Sequence, residues 1–304
     1  MSIFQAYNRI SEYLDISRII KDAPMKEHTS FKVGGNTALL IMPQSIDELL
    51  FVISVCKLHN VKYYILGNGT NLIVKDSGYD GVIIKLSEFF NKISIEGNRI
   101  TAQAGALISA VSAKAAQNAL SGLEFASGIP GTVGGAIVMN AGAYGGEMSQ
   151  VVERVKAFDS EGNIVELTEA ELKFSYRNSI FQERPYIVLE AEMKLENGDM
   201  EIIKNTMKDF TERRTKKQPL SYPSAGSIFK RPEGYYAGKL IEEAGLKGLA
   251  LGGARVSPLH AGFIINEGNA TSEDIIDLIA VVQSTVNEKF NVMLEPEVKI
   301  LGSD

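Results

Sequence analysis

Apolar positions early in the chain, Ile10, Tyr13, Leu14, Ile16, Ile19 and Ile20, recur at helical spacing and predict an amphipathic helix over 1–22, ending before Pro24. A polar, glycine-bearing turn over 29–36 precedes an apolar run at 38–42 that reads as a strand. Ser45 and Glu48 hold capping-box spacing and predict a helix to about His59. The β-rich segment 63–66 runs into Gly67-Asn68-Gly69-Thr70-Asn71, after which Leu72, Ile73 and Val74 resume the strand. Further strands are predicted at 81–86 and 99–104, then an alanine-rich helix over 107–119.

Residues 122–147 follow neither period. Gly128, Gly131, Gly134, Gly135, Gly142, Gly145 and Gly146 make the stretch too rich in glycine for a helix or a central strand, and leave the main chain bare to whatever approaches it. Gly134, Gly135 and Ala136 are followed by apolar Ile137, Val138 and Met139, so a flat group could lie on bare peptide while the apolar run anchors in the core. Amide N–H donors are presented to large cofactors in this way. A tight irregular connection between core elements is the other reading.

Beyond it, 155–158 and 164–167 read as a hairpin around the turn 159–163, and 186–193 as a strand. A helix over 200–217 ends in basic Arg213, Arg214, Lys216 and Lys217 and is stopped by Pro219, with 196–199 as a domain boundary. A helix at 238–244, a strand at 261–266, a helix capped by Thr271 and Asp274 running to about Phe290, and a strand over 294–300 complete an α+β order. The bend at 67–71 lies between strands, with no helix following it, which is the wrong context for a Rossmann fingerprint or a Walker loop.

With 304 residues and 45% hydrophobic content the chain can bury the cores of two or three domains. A net charge of −6 argues against a nucleic-acid partner, so ligand phosphates must be held locally by amides and a few cations. Cys56 is the only cysteine, which leaves no disulfide and no thiolate metal site and fits a reducing cytoplasm. His28, His59 and His260 form no ligand spacing, and no metal is expected. No apolar stretch approaches the roughly 20 residues of a membrane span, and no secretory leader pattern opens the chain.

Four segments in order, 66–72, 122–147, Tyr176-Arg177-Asn178-Ser179 and 223–230, closed by Leu294-Glu295-Pro296-Glu297, resemble the UDP-N-acetylenolpyruvoylglucosamine reductase family from about Thr29 to Gly302. The resemblance implies a two-part FAD-binding domain of the vanillyl-alcohol-oxidase (PCMH) type and a C-terminal α+β substrate-binding domain. It divides the chain into a lead-in at 1–28, a cofactor domain at 29–197 (parts 29–86 and 87–197) and a substrate domain at 198–304 whose last strand returns to the active site. It also implies non-covalent FAD, NADPH as co-substrate, UDP-N-acetylglucosamine enolpyruvate as substrate, and a cytoplasmic role in peptidoglycan precursor synthesis, hence in cell shape and division. By the same resemblance Gly67, Asn68, Gly69, Thr70 and Asn71 serve the FAD phosphates, and Gly128, Pro130, Gly131, Thr132, Gly134, Asn140 and Ala141 the flavin and ribityl region. The asparagines also suit turns that satisfy their own backbone.

In the family reaction the hydride carried by FAD adds at C3 of the enolpyruvyl group and drives charge onto the substrate carboxylate. Arg177 matches the residue that offers that carboxylate a bidentate guanidinium, with Glu297 as its acidic partner. C2 then takes a proton from a serine; the residues leave Ser221, Ser224 and Ser227 open, and the resemblance selects Ser227. Lys217 and Lys230, with Arg213 or Arg214 nearby, are candidates for the UDP diphosphate, although cations suit a helix C-terminus regardless of ligand. Tyr176 and Tyr144 are candidates for the cleft. Only 179–185 separates the arginine motif from the next strand, so the chain resembles the shorter branch of the family, without its extra tyrosine loop. Rival readings are a flavoprotein oxidase or dehydrogenase of the same fold and a non-enzymatic nucleotide-sugar module; the oligomeric state is left open.

Overall fold

A computed structural model describes residues 2–302. The chain divides into two compact units: residues 1–20, 39–68 and 81–214 form the first, and 21–38, 69–80 and 215–304 the second. This partition differs from the expected segments at 1–28, 29–197 and 198–304. The helix Met200–Lys217 belongs with the first unit as far as Arg214, because it packs there through Ile203 and Phe210.

In the first unit an antiparallel five-stranded sheet runs in the order Ile164–Thr168, Val152–Phe158, Ile187–Lys194, Arg99–Gln103, Ile93–Glu96. Its strands alternate buried and exposed residues, as a half-covered sheet requires. Ile100, Ala102, Val155, Ala157, Leu189 and Ala191 enter one continuous apolar core with the helices Ile46–Leu58 and Ile108–Gln117. Strand Tyr63–Leu66 pairs in parallel with the 82–85 part of Tyr79–Lys85. The second unit has its own core, where Ile275, Leu278, Ile279, Val282 and Val286 of the helix Ser272–Phe290 meet Phe31, Ile73, Ile228 and Val298. The small sheet Ala250–Leu251, Ala254–Val256, Ile264–Asn266 contributes Ala254, Val256 and Ile264 to it.

Local chemistry explains most boundaries. Thr271 and Asp274 form the expected reciprocal cap at the helix Ser272–Phe290. Ser45 caps Ile46–Leu58, but the box is half made: Glu48 turns instead to the Gln44 N–H and to buried Arg18. The predicted N-terminal helix is shorter than expected. It covers Ser2–Ser11, and Ile19–Pro24 is a strand, since adjacent β-branched isoleucines and a proline suit an extended chain. Leu72–Val74 does not resume the strand before the bend; it pairs in parallel with Lys299–Leu301. The hairpin strand Ile93–Glu96 was not expected from the sequence.

Candidate functional site

Strand Tyr63–Leu66 delivers Gly67 against Thr132: a Cβ at Gly67 would lie 2.4 Å from Thr132 Oγ1. Asn68 Nδ2 donates to the Pro130 carbonyl at 2.8 Å. The two glycine-bearing stretches are therefore neighbours. Among the described residues, nothing accepts a hydrogen bond from the main-chain N–H of Gly67, Asn68, Gly69, Thr70 or Asn71. Gly69 adopts φ +65°, and a Cβ there would strike the His28 carbonyl oxygen at 2.1 Å. Consecutive unused amide donors in a bend are suited to an anionic group such as a diphosphate. The side chains do other work, for Asn71 Nδ2 donates to the Glu297 carbonyl at 3.1 Å. These asparagines hold the bend in shape and leave its main chain to the ligand.

The second stretch corrects the expectation that it contains no helix. Val133–Val138 is a short helix with Thr132 as its cap, Thr132 Oγ1 accepting from Gly135 N at 3.4 Å. Val133 N and Gly134 N donate to the carbonyls of Ala106 and Ala104, both at 2.8 Å, and Ile108 N donates to Gly131 O at 3.0 Å. Gly134 permits this approach, since its Cβ would lie 3.0 Å from that of Ala104. The glycine at 134 thus serves packing, and its amide is not offered to a ligand. Among the described residues the N–H groups of Gly128, Gly131 and Thr132 keep no acceptor, and Ser127 Oγ is buried without a partner. Open main-chain donors beside a buried hydroxyl fit a cofactor rich in phosphate and carbonyl oxygens.

Asn140 and Ala141 stand further from the ligand role expected of them. Asn140 takes φ +40° just past the end of this helix. Its Nδ2 donates to Glu147 Oε1 and to the Ser175 carbonyl, each at 3.1 Å, while its Oδ1 accepts from Ser149 N at 2.9 Å. The N–H of Ala141 closes on Ala136 and its carbonyl takes Met148 N. Through Ser175 this network reaches the turn that carries Arg177, closed by reciprocal Ser175–Asn178 bonds of 3.1 Å with Arg177 at φ +53°. Gln182 Nε2 holds both the Arg177 carbonyl at 2.9 Å and that of Val138 at 3.1 Å, and Ser179 Oγ holds Val138 O at 2.8 Å. The Arg177 guanidinium donates to Gly142 O at 3.3 Å and lies 5.4 Å from the ring of exposed Tyr176. A backbone in the left-handed region is held this firmly where a side chain must be aimed. Ser179 entered the sequence reading only as the last residue of the arginine motif, with no role, and Gln182 was not singled out.

In the second unit Ser227 and Glu297 come together. Ser227 bridges to Phe263 and Phe229 to Pro296, Glu297 N donates to Ile228 O at 2.7 Å, and Ile228 N to Gly262 O at 2.9 Å. Ala225, Ile228 and Phe229 are buried, whereas Ser227 is exposed and its hydroxyl has no partner among the described residues. Lys230 pairs with Glu295 at 2.6 Å, so binding an anion there means exchanging that partner. Burial pushes the His260 imidazole down, and its Nδ1 accepts from Gly262 N at 3.1 Å, a structural arrangement. Of the alternative serines, Ser221 is exposed and Ser224 is half-buried.

At the end of the helix Met200–Lys217 the two arginines part. Arg213 turns outward to Asp209 at 2.7 Å, whereas Arg214 lies against Gly128, whose Cβ would sit 3.0 Å from Arg214 Cδ. Lys217 is exposed. Tyr144 stacks on Phe210, ring centroids 4.5 Å apart and planes at 10°, so it belongs to this packing.

Two family profiles match the chain: "FAD binding domain" over residues 37–168 and "UDP-N-acetylenolpyruvoylglucosamine reductase, C-terminal domain" over 218–301. The UDP-N-acetylenolpyruvoylglucosamine reductase of Caldanaerobacter subterraneus subsp. tengcongensis is 54% identical over 295 residues, 97% of each chain. That of Alkaliphilus oremlandii is 49% identical over 304 residues, the full length of both. The crystal structure of the Thermus caldophilus enzyme (MurB) superposes with a TM-score of 0.80 at 35% identity, covering 93% of this chain and 98% of that one. Phl p 4.0202, a glucose dehydrogenase, shares 13% identity and a TM-score of 0.51 over 64% of this chain and 44% of its own, a likeness of fold alone.

Proposed function

The chain belongs to the UDP-N-acetylenolpyruvoylglucosamine reductase family, and from that premise we propose that Arg177, Ser227 and Glu297 act on the enolpyruvyl group. The protein is an FAD-dependent oxidoreductase that reduces enolpyruvyl UDP-N-acetylglucosamine in peptidoglycan synthesis, with the fold expected of its class. FAD, when bound, supplies the hydride-transfer chemistry, with NADPH as the source of reducing equivalents. The amides of 67–71 would hold its diphosphate, and those of Gly128, Gly131 and Thr132, with Ser127 Oγ, its flavin end.

As the substrate gains negative charge at C2 and its carboxylate, the Arg177 guanidinium offers it paired, charge-assisted donors. The Ser227 hydroxyl delivers a proton to C2; it is a weak acid that serves because the acceptor is strongly basic. Glu297 accepts a hydrogen bond or a proton at the same end of the substrate. Lys217 and Lys230 meet the UDP diphosphate, Lys230 by leaving Glu295, and Tyr176 flanks the sugar nucleotide. The reaction takes place in the cytoplasm and supports cell shape and division; no helix among the described residues is long and apolar enough to cross a membrane.

The observation that carries the assignment of Ser227 is its partnerless hydroxyl on a main-chain segment clamped from both sides, one residue from the carbonyl that takes Glu297 N. Ser227→Ala should leave reduction of bound FAD by NADPH unchanged and nearly abolish reoxidation by the enolpyruvyl substrate in stopped-flow absorbance. Equal loss in both half-reactions would remove Ser227 from its role.

A further inference from the structure

Arg214 combines features that a merely structural arginine lacks. It follows Ile203 and Phe210 on one face of the helix Met200–Lys217, at intervals of two and three turns from Ile203, and that face packs inward. Phe210 meets Tyr144 ring to ring. One turn on, the Arg214 stem runs over the main chain of Gly128: a Cβ there would lie 3.0 Å from Cδ and 3.4 Å from Nη1. Arg214 is half-buried, and among the described residues it has no carboxylate and no hydrogen-bond acceptor. Asp209, an acidic residue one turn before Arg213 on the same helix, is engaged by Arg213. Burial pushes the guanidinium's pKa down, with the Tyr144 hydroxyl as the opposing influence. A partly desolvated cation without an anion is unfavourable in a folded chain, and it lies over Gly128, the residue after Ser127, whose buried hydroxyl also has no partner.

Two polar groups on either side of Gly128 are therefore open to a ligand, one a full positive charge over it and one a neutral donor on the preceding residue. The diphosphate of FAD has its own set of donors in the unused amides of 67–71. The charge at Arg214 is left for the other end of the cofactor, the isoalloxazine ring, which gains electron density on reduction. Resting on the assignment of FAD to this chain, we propose that Arg214 is the counter-charge of the isoalloxazine and a positioning residue for it, favouring the reduced cofactor over the oxidised one. A cation beside a group that becomes negative stabilises the charged form and raises the potential.

The test is a spectroelectrochemical titration of the FAD-loaded protein, combined with the affinity of oxidised FAD measured by fluorescence. Arg214→Met should bind reduced FAD at least tenfold less well relative to oxidised FAD, a fall in two-electron midpoint potential of about 30 mV or more. Arg214→Lys should recover at least half of the shift, and Arg213→Met, on the outward side of the helix, should leave the potential unmoved. Gly128→Ala, which displaces the Arg214 stem without removing the charge, should give a smaller fall and keeps the proposal testable if Arg214→Met does not fold. An unchanged potential in Arg214→Met, or the same shift in Arg213→Met, overturns the proposal. Equal loss of affinity for both redox states would assign Arg214 to the diphosphate and overturns it as well. Failure of the unmutated protein to take up FAD would instead refute the cofactor assignment itself.

Discussion

The contact between Gly67 and Thr132 can be tested by a double-mutant cycle. Gly67 is outside the left-handed region, so alanine there carries no conformational strain and its effect is steric. The added Cβ would lie 2.4 Å from Thr132 Oγ1, 3.3 Å from Cγ2 and 3.4 Å from Cβ, and Thr132 is 2% exposed with no room to retreat. Overpacking of this kind costs about 1–3 kcal/mol. Thr132→Ala alone loses the helix cap, about 1 kcal/mol, and one buried methyl, about 0.8 kcal/mol. It also removes the two closest atoms, leaving only the ordinary contact at 3.4 Å. The double variant should therefore be little less stable than Thr132→Ala alone, with a coupling of about 1–3 kcal/mol relative to the sum of the single changes. Urea unfolding followed by circular dichroism at constant m-value gives the four free energies. Additivity within about 0.5 kcal/mol would refute the claim that the two bends are in contact through these atoms.

Two further outcomes follow from the structure. The N–H groups of Thr271 and then Gly253 hold the Asp274 carboxyl below its ordinary value. A carboxyl with a lowered folded pKa contributes stability that is complete above its unfolded pKa of about 3.9 and is lost as pH falls through the folded value. The stability gap between the unmutated protein and Asp274→Asn should thus be widest near neutral pH and close below pH ~4 in a urea series; a gap independent of pH would contradict this. Cys56 is fully buried, and burial pushes its thiol up to about 12, so an aromatic disulfide reagent at pH 8 should label it only after unfolding. Stoichiometric labelling of the native protein would show that the helix Ile46–Leu58 opens.

What the sequence disclosed was where local chemistry decides. The helices Met200–Lys217 and Ser272–Phe290 were legible to within a residue or two, because a proline, a capping box and an unbroken apolar period mark them. The segment Ile19–Pro24 misled because isoleucines spaced for a helix also satisfy a strand, and only pairing decides between them. Val133–Val138 was hidden by Gly134, which serves contact with Ala104 in the turn after the strand Arg99–Gln103, information no local window holds. At the candidate site the residue types drew attention to the two glycine-bearing stretches, while the hydrogen bonds of their side chains were not legible. Asn68, Asn71 and Asn140 carry amides that suit a ligand, yet the fold uses them as ties. Arg213 and Arg214 are indistinguishable in sequence and differ only by the turn of a helix.

The parallel pairing of Leu72–Val74 with Lys299–Leu301, and the tie from Asn71 to Glu297 across a separation of 226 residues, have a consequence for biosynthesis. While the ribosome is still translating the middle of the message, the segment that leaves the 67–71 bend lacks its partner strand, and Leu72, Ile73 and Val74 are without the cover that Lys299–Leu301 brings. Such a late-closing contact slows maturation and exposes the nascent chain to misassembly.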